Sequence, residues 1–99
     1  MIIAEVSVVP LGTKTSSVSQ YVARAIKVLE REKGIKYETT AMGTIIEGDL
    51  DKILAVVRRM HEGTFGEGVV RVLTTMKIDD RRDKAQGIKA KLDSLKKKL

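Results

Sequence analysis

The 99 residues contain no cysteine, so disulfides and thiolate metal sites are excluded. A reducing cytosol fits that absence, and a cytoplasmic location is expected. The single histidine, His61, falls on the apolar edge of a predicted helix, which leaves imidazole–metal chemistry and a serine–histidine pair without their parts. Aromatic rings are scarce: Tyr21, Tyr37 and Phe65 are all there are. No predicted strand carries the aromatic cluster on which sheet-based RNA readers stack bases, so nucleic acid is not the expected partner. Long apolar runs are missing too; none approaches the roughly 18–20 residues a membrane-spanning helix needs. Met1-Ile2-Ile3-Ala4-Glu5 lacks a basic segment and meets a carboxylate early, unlike a signal peptide.

Motifs for catalysis or cofactors are equally absent. Asp49, Asp51, Asp79, Asp80 and Asp83 do not follow the spacing of a calcium loop. Gly12-Thr13-Lys14-Thr15-Ser16 precedes a predicted helix but lacks the first glycine and the Gly-Lys-Ser/Thr ending of a phosphate loop. Glu5 and Glu47 share a predicted sheet face, yet paired-carboxylate hydrolysis of sugars wants an aromatic platform that this chain does not have. The expectation is a protein without enzymatic activity, cofactor or metal.

The net charge of +6 suggests a polyanion until its distribution is considered. Residues 84–99 hold six lysines against Asp93 alone, a balance of +5, which leaves +1 for the other 83 residues. A solvated lysine face on a last helix accounts for this. A nucleic-acid contact through that helix is the rival reading.

What is present is pattern. Ile2 to Val9 reads as a strand ending at Pro10. Ser17 and Gln20 have the spacing of a capping box for a helix that runs to about Lys33, with Gly34 as its stop. Lys36–Ala41 and Thr44–Glu47 read as a hairpin around Met42-Gly43. Asp49 is placed to cap a second helix with Leu50, Ile53, Leu54, Val57, Met60 and His61 on one stripe. Val69–Ile78 is the longest strand-like run. Asp83 with Gln86 is placed to cap a last helix bearing Ile88, Leu92, Leu95 and Leu99.

This order is that of the ferredoxin-like βαββαβ sandwich, an α+β fold. It predicts one domain over residues 1–99. A four-stranded antiparallel sheet carries two helices on one face, and an extra C-terminal helix follows. The opposite face is then wet, covered by the last helix, or buried against another copy. Strand parity puts Ser7, Glu47 and Thr75 there beside Val9, Ile45 and Leu73. Arg71 and Lys77 alternate with Thr75 along the last strand. Such a mixed face suits either a small-molecule pocket or a polar network within the sheet and a subunit interface.

Three segments carry a wider resemblance. Glu5-Val6-Ser7-Val8-Val9-Pro10-Leu11-Gly12-Thr13, Tyr37 to Gly48, and Arg71 to Arg82 resemble the small thiamine-binding-protein family, in order and across nearly the whole chain. The resemblance implies a ferredoxin-like fold, sheet-mediated dimers and commonly a homotetramer built as a dimer of dimers. It implies binding of thiamine or its hydroxymethylpyrimidine portion without catalysis. An aminopyrimidine presents an exocyclic amine and ring nitrogens. Glu47 would accept from the amine, with Ser7, Thr39 and Thr75 completing the hydrogen bonds. Arg71 and Lys77 would face an anionic group such as a phosphate ester, or pair with Glu5. The alternative is a regulatory or assembly module that uses the same face for protein contacts.

Overall fold

The computed structural model describes residues 2–12, 19–66, 68–83 and 87–99. Its elements run β1 (Ile2–Pro10), α1 (Ser19–Glu30), β2 (Lys36–Thr40), β3 (Gly43–Gly48), α2 (Leu50–Thr64), β4 (Val72–Asp80) and α3 (Ile88–Lys98). The strands form one antiparallel sheet in the order β2-β3-β1-β4. This is the ferredoxin-like arrangement that the element order predicts.

Alternation along the strands divides the sheet into two unlike faces. Ile2, Ala4, Val6 and Val8 of β1 point to one side, and with Ile46 of β3 they meet Ala25 and Leu29 of α1 and Ile53, Val56, Val57 and Met60 of α2. Both helices therefore cover the same face. The other face is set by register, because directly opposed residues share a side. Ile3 opposes Glu47 and Asp79, Glu5 opposes Ile45 and Lys77, Ser7 opposes Thr75, and Val9 opposes Leu73. Here lies α3, none of whose residues is buried.

Several local expectations shift. α1 ends at Glu30 rather than Lys33: Arg31 and Glu32 donate to the carbonyls of Val28 and Leu29, which tightens the last turn three residues before Gly34. Ser17 of the expected capping box lies outside the described residues. The β2–β3 turn falls on Ala41-Met42, one position earlier than expected, and is clamped by Thr40, whose hydroxyl donates to the Gly43 carbonyl at 2.8 Å and accepts from the Met42 N–H at 3.2 Å. Gly43 instead begins β3, where space is short. A Cβ there would sit 2.9 Å from the Val6 carbonyl oxygen, so a glycine lets β3 lie close along β1. On α2, Leu54 is exposed and Val56 takes its expected place in the core. β4 begins three residues later than Val69, which instead bridges to Gly66.

Candidate functional site

The central strand outruns its neighbour. Pairing of β1 with β3 stops at Val6–Thr44, whereas pairing with β4 continues to Pro10–Val72. Ser7, Val8 and Val9 are therefore laddered on the β4 side only. Across the gap stand the end of β2, the turn and the start of β3. Between them opens a cleft of about 190 Å³, walled by Val22, Ala25 and Ile26 of α1 and by Met60 of α2. Residues 39–44 and Val6 to Val9 complete it. Thr64 steadies Met60's turn of α2, its hydroxyl donating to the Met60 carbonyl at 2.8 Å.

The lining is apolar with a few polar groups. Thr39 and Thr44 are directly opposed, so their hydroxyl-bearing side chains share the helix side of the sheet. Thr44 is only 4% exposed. No described lining residue is charged. An ion entering the cleft would lose hydration without a partner, whereas a neutral ring with a few donors and acceptors would not. Small-molecule sites commonly have this makeup of apolar walls and sparse polar groups.

The residues singled out from sequence are distributed over separate places in the fold. Ser7 and Thr39 both line the cleft. Thr39 belongs to the helix side of β2, however, because it opposes Thr44, so it does not share the face of Glu47 and Thr75. Thr75 is exposed on the open face opposite Ser7. Glu47 is 6% exposed, and its Oε1 accepts the Ile88 N–H of α3 at 3.0 Å. Arg71 precedes β4, and its carbonyl accepts from the Leu11 N–H at 2.8 Å. Lys77 lies 3.6 Å from Glu5 in an exposed ion pair. Six residues of extended chain separate Arg71 from Lys77, roughly 20 Å, so they do not form one anion site. Val22, Ile26, Thr44 and Met60 were not singled out as site residues. Their signal in sequence is helical or strand periodicity alone, which marks them as core.

The remaining polar clusters are structural. His61 Nδ1 lies 2.7 Å from the Thr74 hydroxyl and its ring meets Phe65 edge-on, tying α2 to β4. At the end of β4, hydrogen bonding to Arg82 holds the Asp80 carboxyl below its ordinary range, and Asp80 and Asp83 hold the Arg82 and Arg81 guanidiniums above theirs. A carboxylate lowered in this way favours the folded state above its unfolded pKa and loses that effect as pH falls through the folded value. These groups lie at the surface. Among the described residues no group of three or more His, Asp or Glu is placed to hold a metal, and no helix is long and apolar enough to cross a membrane.

The chain and its fold find close counterparts among known proteins. The family model of the thiamine-binding proteins matches residues 4–96. The chain belongs to the thiamine-binding protein family. The Bacillus subtilis protein YqgV is 47% identical over 102 residues, which cover 100% of this chain and 98% of that protein. A crystal structure from Methanocaldococcus jannaschii superposes with a TM-score of 0.88 at 45% identity, covering 96% of this chain and 95% of the other. A Thermotoga maritima structure, provisionally assigned to thiamine biosynthesis or salvage, superposes with a TM-score of 0.76 over 95% of this chain and 97% of its own. At 21% identity that likeness speaks for the fold. The family is named for binding.

Proposed function

We propose that the chain binds thiamine by its hydroxymethylpyrimidine ring, inserted into the cleft between α1 and the β2–β3 hairpin. The observation that carries this reading is the match of size and chemistry. A cavity of about 150 Å³ holds one six-membered aromatic ring. The cleft, at about 190 Å³, has room for a substituted pyrimidine. Val22, Ile26 and Met60 would sandwich the ring. The Thr39 and Thr44 hydroxyls and the open edge of Ser7–Val9 would serve the exocyclic amine and ring nitrogens. The cationic thiazolium would stay outside, past Met42 at the hairpin tip, where water keeps its charge solvated.

Isothermal calorimetry with thiamine and with hydroxymethylpyrimidine tests this. Both should bind, and with affinities of the same order, since the shared ring makes the buried contacts. Thr44→Val keeps the shape and removes the hydroxyl. It should weaken both ligands by about 1–3 kcal/mol, the cost of leaving a buried polar group unpaired. Absence of heat and of any thermal shift at millimolar ligand would dismiss the ligand.

A second reading concerns assembly and rests on the open sheet face. Leu73 is 57% exposed directly opposite Val9, and Leu92 and Leu95 of α3 are exposed on the same side of the sheet. Apolar groups gathered in this way suit contact with another copy of the chain. Sedimentation should find a dimer or tetramer, and Leu73→Glu should shift it towards monomer. An unchanged sedimentation coefficient in the variant would remove this face from the interface.

A further inference from the structure

Glu47 is a buried carboxylate that the proposed ligand cleft does not use, and its surroundings are unusual for a surface helix. α3 begins at Gly87, which offers no side chain to cap the first turn. The acceptor comes instead from β3, 41 residues away: Glu47 Oε1 takes the Ile88 N–H at 3.0 Å. A negative charge at a helix N-terminus meets both a free backbone donor and the positive end of the helix dipole. Gly87 is what allows the approach. Its backbone, at φ −93° and ψ −177°, is open to any residue, but a Cβ there would overlap the carboxylate. A side chain at position 87 would therefore displace the Glu47 carboxylate from the Ile88 N–H, without straining the backbone.

Elsewhere α3 is held loosely. No residue of it is buried. Ile88 and Leu92 lie over Ile3 and Ile45 with a cavity of about 200 Å³ left between them, and a wider groove of about 560 Å³ separates α3 from β2. The Lys91–Asp79 ion pair is exposed on both sides, a class of contact that contributes little. Eleven residues are too few for a stable helix in water without docking. Helix formation and docking are thus one event, and the Glu47 contact at Gly87-Ile88 is its fixed end.

We propose that α3 is a reversible strap over the open sheet face, latched by Glu47 through the glycine-sized gap at Gly87. Docked, it covers Ile3 and Ile45. Released, it bares them and frees the carboxylate, enlarging the apolar face that already holds Val9 and Leu73. This inference stands on the geometry of α3 and is independent of the ligand assigned to the cleft.

Hydrogen exchange on the full chain reads the latch directly. In the wild type, amides within α3 should exchange much faster than those of β1, through an opening that leaves the sheet intact. Glu47→Ala should speed α3 exchange roughly tenfold, the scale of losing a helix cap, with β1 and β4 amides unchanged. Gly87→Ala should do the same by pushing the carboxylate away. Both variants should raise the fluorescence of a dye that binds apolar surface. Should Glu47→Ala loosen the whole sheet, Gly87→Ala decides, since the three atoms nearest to a Cβ added at Gly87 all belong to Glu47. Wild-type α3 amides as protected as those of β1 would overturn the strap. So would α3 exchange unmoved by Gly87→Ala.

Discussion

Val22→Phe is expected to abolish binding of thiamine and hydroxymethylpyrimidine while leaving the fold in place. Val22 is a half-buried wall residue of the cleft, on the side contributed by α1. A phenyl ring grown from that position would occupy the volume assigned to the pyrimidine. The loss should exceed 100-fold, about 2.7 kcal/mol or more, because ring insertion supplies most of the burial. Melting temperature should hold or rise, since filling a void restores dispersion contacts that an empty cleft lacks. Calorimetry and a thermal melt on the same preparation give both numbers. Undiminished affinity in a folded variant would move the ligand out of this cleft, whatever the family name implies. Loss of binding together with loss of fold would be overpacking instead, and the milder Thr44→Val then carries the test.

The second large effect is on stability. Ile46 is 0% exposed at the centre of β3 and belongs to the cluster that joins the sheet to both helices. Ile46→Ala should cost about 2–5 kcal/mol, transfer of the lost carbons plus the cavity left behind. Small domains have only about 5–15 kcal/mol in total, so the melting temperature should fall by about 10 °C or more. Leu54→Ala is the matched control. Helical periodicity groups Leu54 with Ile53 and Val57, yet the structure leaves it 43% exposed. Its truncation should cost under about 1 kcal/mol. Equal costs at the two sites would mean that α2 is rotated about its axis from the orientation described.

The contrast between Ile46 and Leu54 shows what kind of information the chain carries openly. The strands are legible because alternation is a property of the backbone itself, and any sheet using Ile2, Ala4, Val6 and Val8 must bury them together. Ser7, Glu47 and Thr75 fall on the opposite face by the same rule, and the register bears this out. The helix stripe is less exact. A 3.6-residue period defines a broad arc, and only packing selects which edge of it is covered; here Val56 is covered and Leu54 is not. Thr39 shows a different limit. Its chemistry was evident, but its face depends on its partner across the hairpin, Thr44.

Glu47 marks the same boundary at longer range. An acid interrupting an apolar strand signals that something must satisfy it, and hydrogen-bonding ligand groups are one solution. The structure supplies another, the N-terminus of α3. Nothing local to Asp83 and Gln86, expected to cap that helix, indicates that its acceptor would come from β3. Asp83 is engaged by Arg81, and Gln86 lies outside the described residues.

By itself, then, the sequence determined the element order, the two-faced sheet, the membership of a family named for thiamine binding and the absence of thiolate chemistry, because each of these follows from composition, local periodicity or likeness along the chain. The tertiary structure alone decided that β1 outruns β3 and opens a ring-sized cleft beside α1, that Thr39 and Thr44 meet there, and that Glu47 holds α3. Those outcomes depend on how far strands overlap and which distant backbone groups come together, and such long-range matches arise only when the whole chain packs.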